Sequence, residues 1–218
     1  MIVLWFLVAF LIGGIIFGCS TLLQSFFNKS KRFKWLISYS FPICSIIPVV
    51  VLFLVTPREV TVLNFSGFLD LTNFALFILA FLVPALIITF KAKKLTNVSK
   101  GVVVNEFISG AAMEIPQRLF MQTFFVVILS VYHINHGEVI AIFLNALIWC
   151  LFILTQAIIL KQKFNAQFMI EEVTSFIFSV IVGFLFMRSN LILYPMLAHG
   201  MERIISILLV KIKFKYVN

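Results

Sequence analysis

Apolar and polar positions alternate along this chain on the scale of whole helices rather than of single turns. Uncharged, strongly apolar stretches of about 20 residues, the length that crosses a bilayer as helix, are separated by short clusters of charge. Ile2–Asn28 is the first stretch and ends at KSKRFK, where Lys29, Lys31, Arg32 and Lys34 place four positive charges in six residues. Trp35–Thr56 is the second; its Pro42 and Pro48 are tolerable in lipid where neighbouring helices satisfy the freed carbonyls. A nearly neutral loop with Arg58, Glu59 and Asp70 follows, then Leu71–Phe90, closed by Lys91, Lys93, Lys94 and Lys100. Four more stretches, Val102–Val131, Val139–Leu160, Ala166–Met187 and Leu191–Val210, bring the prediction to seven spans. The fold class expected is all-α: a polytopic integral membrane helical bundle forming one transmembrane domain over residues 1–218.

Composition sharpens this picture. With 62% apolar residues and a mean hydropathy of +1.14, 218 residues cannot be one or two soluble domains. Only 17 Lys and Arg and 8 Asp and Glu are present, and the net charge of +9 calls for no nucleic acid. The loops after spans one, three and five and the tail hold 13 of the 17 basic residues, against Arg58 and Arg188 on the opposite side. The positive-inside rule then places the N-terminus outside and the C-terminus in the cytoplasm of a multi-pass cell membrane protein, and the protein is expected to be prokaryotic. The N-terminal stretch lacks the basic n-region and short apolar region of a signal peptide and reads as a permanent first helix. No internal repeat is visible. Cys19, Cys44 and Cys150 lack CxxC spacing, so neither a disulfide framework nor a metal site is expected, and no cofactor is implied. Gly14–Gly18 forms a GxxxG, compatible with close helix packing. Glu171 and Glu172 start the sixth span and read as a solvated pair at a helix N-terminus. The 27 Phe residues read mostly as lipid-facing bulk.

Candidate chemistry lies where charge enters the spans. A charge at mid-bilayer costs about 2.5–3.5 kcal/mol on insertion scales, so such residues need partners. The fourth span alone carries several: Glu106, Glu114 and Arg118. Glu114 and Arg118 stand at i, i+4, where acid and base meet on one helix face. In the seventh span, HGMER puts His199, Glu202 and Arg203 on a common face, and a cavity shared with Glu114 and Arg118 is expected.

These residues carry a family resemblance. MEIPQR (Met113–Arg118), followed by a helix ending in LYPMLAHGMER (Leu193–Arg203), resembles the CPBP family of CAAX proteases and bacteriocin-processing enzymes, also called Abi proteins, over roughly 103–210. The resemblance implies an all-helical intramembrane endopeptidase with the motifs Glu-Glu-x-x-x-Arg, Phe-x-x-x-His and His-x-x-x-Asn, the first Glu being the base that activates water. Glu114 and Arg118 match the second Glu and the Arg, and His199 matches the first residue of the last motif. Met113 stands where the catalytic Glu would be, Gln156 in FILTQ (Phe152–Gln156) where the middle His would be, and Arg203 in place of Asn. Glu106 lies two turns, about 10.5 Å, from Met113, too far to replace it. His133 and His136, with Glu138, read as an outer turn rather than as the middle motif or a metal pair.

Three functions follow. One is an intramembrane endopeptidase of CPBP type that cleaves a membrane-associated protein or peptide, Glu114 and His199 supporting the water. A second is a non-catalytic family member that binds a membrane partner, in bacteriocin self-immunity or cell-envelope regulation, with Arg203 satisfying Glu106 or Glu114. The third is a transporter or channel subunit. The lipid bilayer is the surrounding partner in all three.

Overall fold

A backbone inside lipid has no water to satisfy its N–H and C=O groups, so an apolar chain folds into helices that satisfy them internally. The computed structural model describes residues 1–56, 70–91, 100–159, 161 and 163–215, and each of the seven apolar stretches is helical there. The helices are α1 (Ile2–Lys29), α2 (Ser40–Val55) led by a 3₁₀ segment (Lys34–Tyr39), and α3 (Leu71–Lys91). A broken fourth unit follows, made of α4 (Lys100–Ala112), a π-helical stretch (Ile115–Gln122) and α5 (Thr123–Val131). The chain closes with α6 (Gly137–Ile159), α7 (Ala166–Ser189) and α8 (Leu193–Lys215). The loops carrying Arg58 and Glu59 and carrying Lys93 and Lys94 lie outside the described residues.

Five helical segments among the described residues are long and apolar enough to cross a membrane: 2–29, 34–55, 101–131, 137–159 and 168–189. The protein is thus an all-α, multi-pass membrane bundle. In α3 the described apolar run, 71–87, is shorter, and α8 carries His199, Glu202 and Arg203. The broken fourth unit is the centre of the bundle: 56% of its window is buried, against 17% for α1.

A π-helical stretch replaces the continuous helix expected over 102–131, and Pro116 accounts for it. Proline offers no N–H to the preceding turn, and the turns after it widen until Thr123 donates its N–H to the carbonyl of Arg118, five residues back. The Thr123 hydroxyl donates to the same carbonyl at 2.9 Å. Single π turns inside α-helices concentrate at functional sites.

Two apolar clusters hold the bundle. Trp5, Phe6 and Phe10 of α1 meet Phe124 and Phe125 of α5 and Phe152 of α6, with Phe10 and Phe152 stacked at 5.2 Å. A second cluster joins Phe77 and Ala80 of α3 to Phe178, Val182 and Leu185 of α7 and to Tyr194 and Ala198 of α8. Many phenylalanines are therefore ring-on-ring contacts between helices rather than lipid-facing bulk. Among the described residues Gly14 and Gly18 face open space and receive no neighbouring helix, while Gly13 receives the Phe152 ring.

Turn chemistry closes the ends. The Asn165 side chain caps α7 by accepting the Phe168 N–H at 2.9 Å, and Asn190 ends α7 in the left-handed region at φ 49°. His133 and His136 are exposed, both with positive φ, in the turn between α5 and α6, as expected of a polar turn. Asp70 caps α3 by accepting the Asn73 N–H at 2.9 Å and lies 3.6 Å from Arg188 at the end of α7. Chiefly that main-chain hydrogen bond, and then the Arg188 charge, hold the Asp70 carboxyl below its ordinary range.

Candidate functional site

The centre of the bundle is a charge cluster built on Arg118, which is fully buried. A buried guanidinium has five N–H groups in need of acceptors, and the fourth unit, α6 and α7 supply four. Its Nε donates to Glu114 Oε2 at 3.0 Å, one turn back. Nη1 donates to Gln122 Oε1 at 2.8 Å and Nη2 to Ser179 Oγ of α7 at 3.1 Å. Asn145 of α6, with its amide oxygen turned to Arg118, accepts from Nη1 at 2.7 Å and donates to the main-chain carbonyl of Gln117 at 3.2 Å. Gln122 in turn donates to the carbonyl of Gly183 at 3.1 Å. That contact requires glycine, since a Cβ at 183 would meet Ile142 Cγ2 at 2.7 Å and Arg118 Nη1 at 3.3 Å.

Glu114 is also fully buried, and its second oxygen reaches α8: Oε1 lies 2.6 Å from His199 Nδ1. With Glu114 ionised against Arg118, its oxygen accepts and Nδ1 carries the proton. The His199 ring is fixed from the other side by Phe178, edge to face at 4.8 Å. Nε2 is then the ring nitrogen left to meet an occupant of the adjoining space. Glu114, Arg118 and His199 therefore converge, as the i, i+4 spacing and the HGMER segment predict.

Beside this cluster lies a cavity of about 580 Å³ whose lining includes Met113, Gln156, His199 and Arg203, the positions that the motif comparison singles out, together with Gln117 and Glu202. Trp149, Phe168 and Phe178 give it aromatic walls. Glu114 and Arg118 are absent from the lining, because they are sealed behind His199 and Gln117. Gln156 is exposed and Met113 half-buried. Among the described residues no three His, Cys, Asp or Glu side chains are grouped so as to hold a metal ion.

Two expectations fail at this site. Arg203 satisfies neither Glu106 nor Glu114: its side chain is 51% exposed, and its Nε lies 3.6 Å from Glu202 Oε2. The Glu114 charge is already matched in its own helix, so a distant cation has nothing to offset. Nor are Glu171 and Glu172 a solvated pair. Glu171 is exposed, but Glu172 is 7% exposed, turned against α6 where the Cys150 thiol donates weakly to its main-chain carbonyl at 3.9 Å. Both acids line the cavity.

Gln122, Asn145, Ser179 and Gly183 escape sequence reasoning, although their signal is plain once sought. Each is a lone amide, hydroxyl or missing side chain in an otherwise apolar run, the kind of residue that joins membrane helices.

Fold and site together define a class: a polytopic helical membrane protein with a neutralised charge cluster sealed behind a polar, aromatic-walled cavity. Comparison of the chain with protein-family models, curated proteins and solved structures gave no match in any of the three.

Proposed function

We propose that this chain is an intramembrane-protease-like protein of CPBP type that binds a segment of a membrane-associated peptide or protein in the cavity without cleaving it. The observation that carries the reading is the separation of charge from space. Met113, Gln156, His199 and Arg203, which resemblance assigns to the reacting centre, share one cavity, while the carboxylate best able to serve as base, Glu114, is buried outside it and held by Arg118 and His199. A base must reach the proton it abstracts, directly or through one water, and general-base catalysis is worth about 10²–10⁴-fold. Met113 supplies neither proton acceptor nor charge. A cavity of this size suits one or two side chains of a bound segment. The clustering of 13 of 17 basic residues in alternate loops and the tail supports an orientation with the N-terminus outside and the C-terminus in the cytoplasm.

Hydrolysis is the second reading, favoured by Glu172 and Glu202, acids that share the cavity with His199. One experiment separates the two. The full chain in nanodiscs is mixed with dye-labelled, 20-residue apolar peptides; binding is read by energy transfer and cleavage by mass spectrometry. Binding with no new peptide ends supports the proposal. New ends that vanish in His199→Ala replace it with hydrolysis, and absence of both binding and cleavage refutes it.

A further inference from the structure

Polar groups that protein interiors leave without partners show what a cavity is built to receive, because an unpaired buried acceptor is costly. Two buried polar groups on residues lining this cavity lack a partner of matching strength: Gln117 Oε1 has no hydrogen-bond partner, and the Glu172 carboxylate meets only the weakly donating Cys150 thiol. Glu202, by contrast, accepts from the Ser206 hydroxyl at 2.8 Å and stands beside Arg203. Among the described residues, no buried side-chain donor of the lining is left unpaired. The lining acids Glu171, Glu172 and Glu202 outnumber its cation, Arg203, which stands against Glu202, so the balance favours an occupant that donates hydrogen bonds and carries positive charge.

Gln117 and Glu172 reach the cavity from different elements, the π-helical stretch and α7. Both are more than nine-tenths buried, at 2% and 7% exposed. The aromatic walls, Trp149, Phe168 and Phe178, are the faces over which ammonium and guanidinium groups are stabilised. Ile153 and Pro84 offer apolar surface for a methylene stem. A metal ion is a poor match, since no three His, Cys, Asp or Glu among the described residues are close enough to chelate one.

We propose that the cavity receives the cationic side chain of a lysine or arginine in the bound segment, with Glu172 as its counter-ion and Gln117 Oε1 as a second acceptor. This rests on the peptide-binding reading above and adds the chemistry the site selects for. An ammonium has three donors and no acceptor, matching a carboxylate and an amide oxygen that no strong donor engages. Lysine or arginine inside an apolar segment is itself costly in lipid, so a segment carrying one gains by placing it against Glu172.

The test uses two labelled 20-residue apolar peptides, identical except for a central lysine in one and norleucine in the other, at equal mole fraction in nanodiscs holding the full chain. Norleucine keeps the stem and removes the charge. The lysine peptide is expected to bind at least about tenfold more tightly, a difference worth about 1.4 kcal/mol. Glu172→Gln should erase the preference, and Gln117→Met should reduce it. Without peptide, Glu172→Gln should hold or raise Tm, because it removes a buried carboxylate whose only side-chain partner is a weakly donating thiol. Equal binding of both peptides overturns the cation proposal and leaves peptide binding standing; binding of neither overturns both. A lysine preference that survives Glu172→Gln, or a Tm lowered by that variant alone, shows that the carboxylate has a structural role and overturns the assignment.

Discussion

Replacing Glu114 with Gln removes one charge from the buried cluster while preserving shape. Arg118 then keeps a full positive charge with no ionised partner, at a site where both side chains are fully buried. The new amide also turns a donor toward either the Arg118 Nε–H or the His199 Nδ1–H, which now both need acceptors. Breaking a buried pair from one side costs about 3–5 kcal/mol. At about 2–4 °C per kcal/mol for a chain of this size, Tm falls by roughly 6–20 °C. Arg118→Met likewise breaks the pair from one side, leaving Glu114 buried without its guanidinium, and should cost a similar amount. The double variant leaves no uncompensated charge and should lose about 1–3 kcal/mol less than the sum of the two. Thermal unfolding of all four proteins in one detergent completes the cycle. A Tm within 2 °C of wild type for Glu114→Gln (about 1 kcal/mol or less), or a strictly additive double variant, would refute the view that Glu114 and Arg118 form one neutralised unit.

Gly183→Ala should cost about 1–3 kcal/mol by overpacking, since its Cβ would press on Ile142 Cγ2 at 2.7 Å and on the guanidinium behind it; thermal unfolding beside a Gly14→Ala control, where space is open, checks it, and equal losses would count against the contact. Asp70 gives the pH prediction. Its carboxyl is held below the ordinary value of about 3.9, so its charge stabilises the native state fully above that value, and the contribution disappears as pH falls through the lowered native value. Wild type should therefore exceed Asp70→Asn in Tm near neutrality and converge with it in acid; a difference constant across pH would show that only the cap geometry matters.

The spans and the core of the site are legible in the sequence because both are local. Among the described residues each of the seven apolar stretches is helical and five are long and apolar enough to span, and the i, i+4 spacing of Glu114 and Arg118 becomes a 3.0 Å contact. His199 stands out as an ionisable residue in an apolar run, and it meets Glu114. What the chain does not reveal depends on which helices abut. Ser179 and Gly183 are 61 residues from their partners Arg118 and Gln122, and no periodicity reports such a pairing. Glu172 reads as a solvated acid because it lies near the start of the sixth span, whereas its burial comes from packing beside α6. Arg203 invites pairing with the acids of the fourth span, but Glu202 is adjacent and closer. Pro116 marks a break in helix four without announcing that the following turns widen rather than kink.

The placement of Glu114 and Arg118 in one helix also bears on how the protein is made. Translation delivers the fourth span to the membrane before α6, α7 and α8 exist, so the acceptors on Asn145 and Ser179 and the imidazole of His199 arrive late. A guanidinium dependent on those later helices would enter lipid bare, at a cost of about 2.5–3.5 kcal/mol. With its carboxylate one turn away, the fourth span enters already neutral, and the rest of the nascent chain can dock around a charge that was never exposed alone.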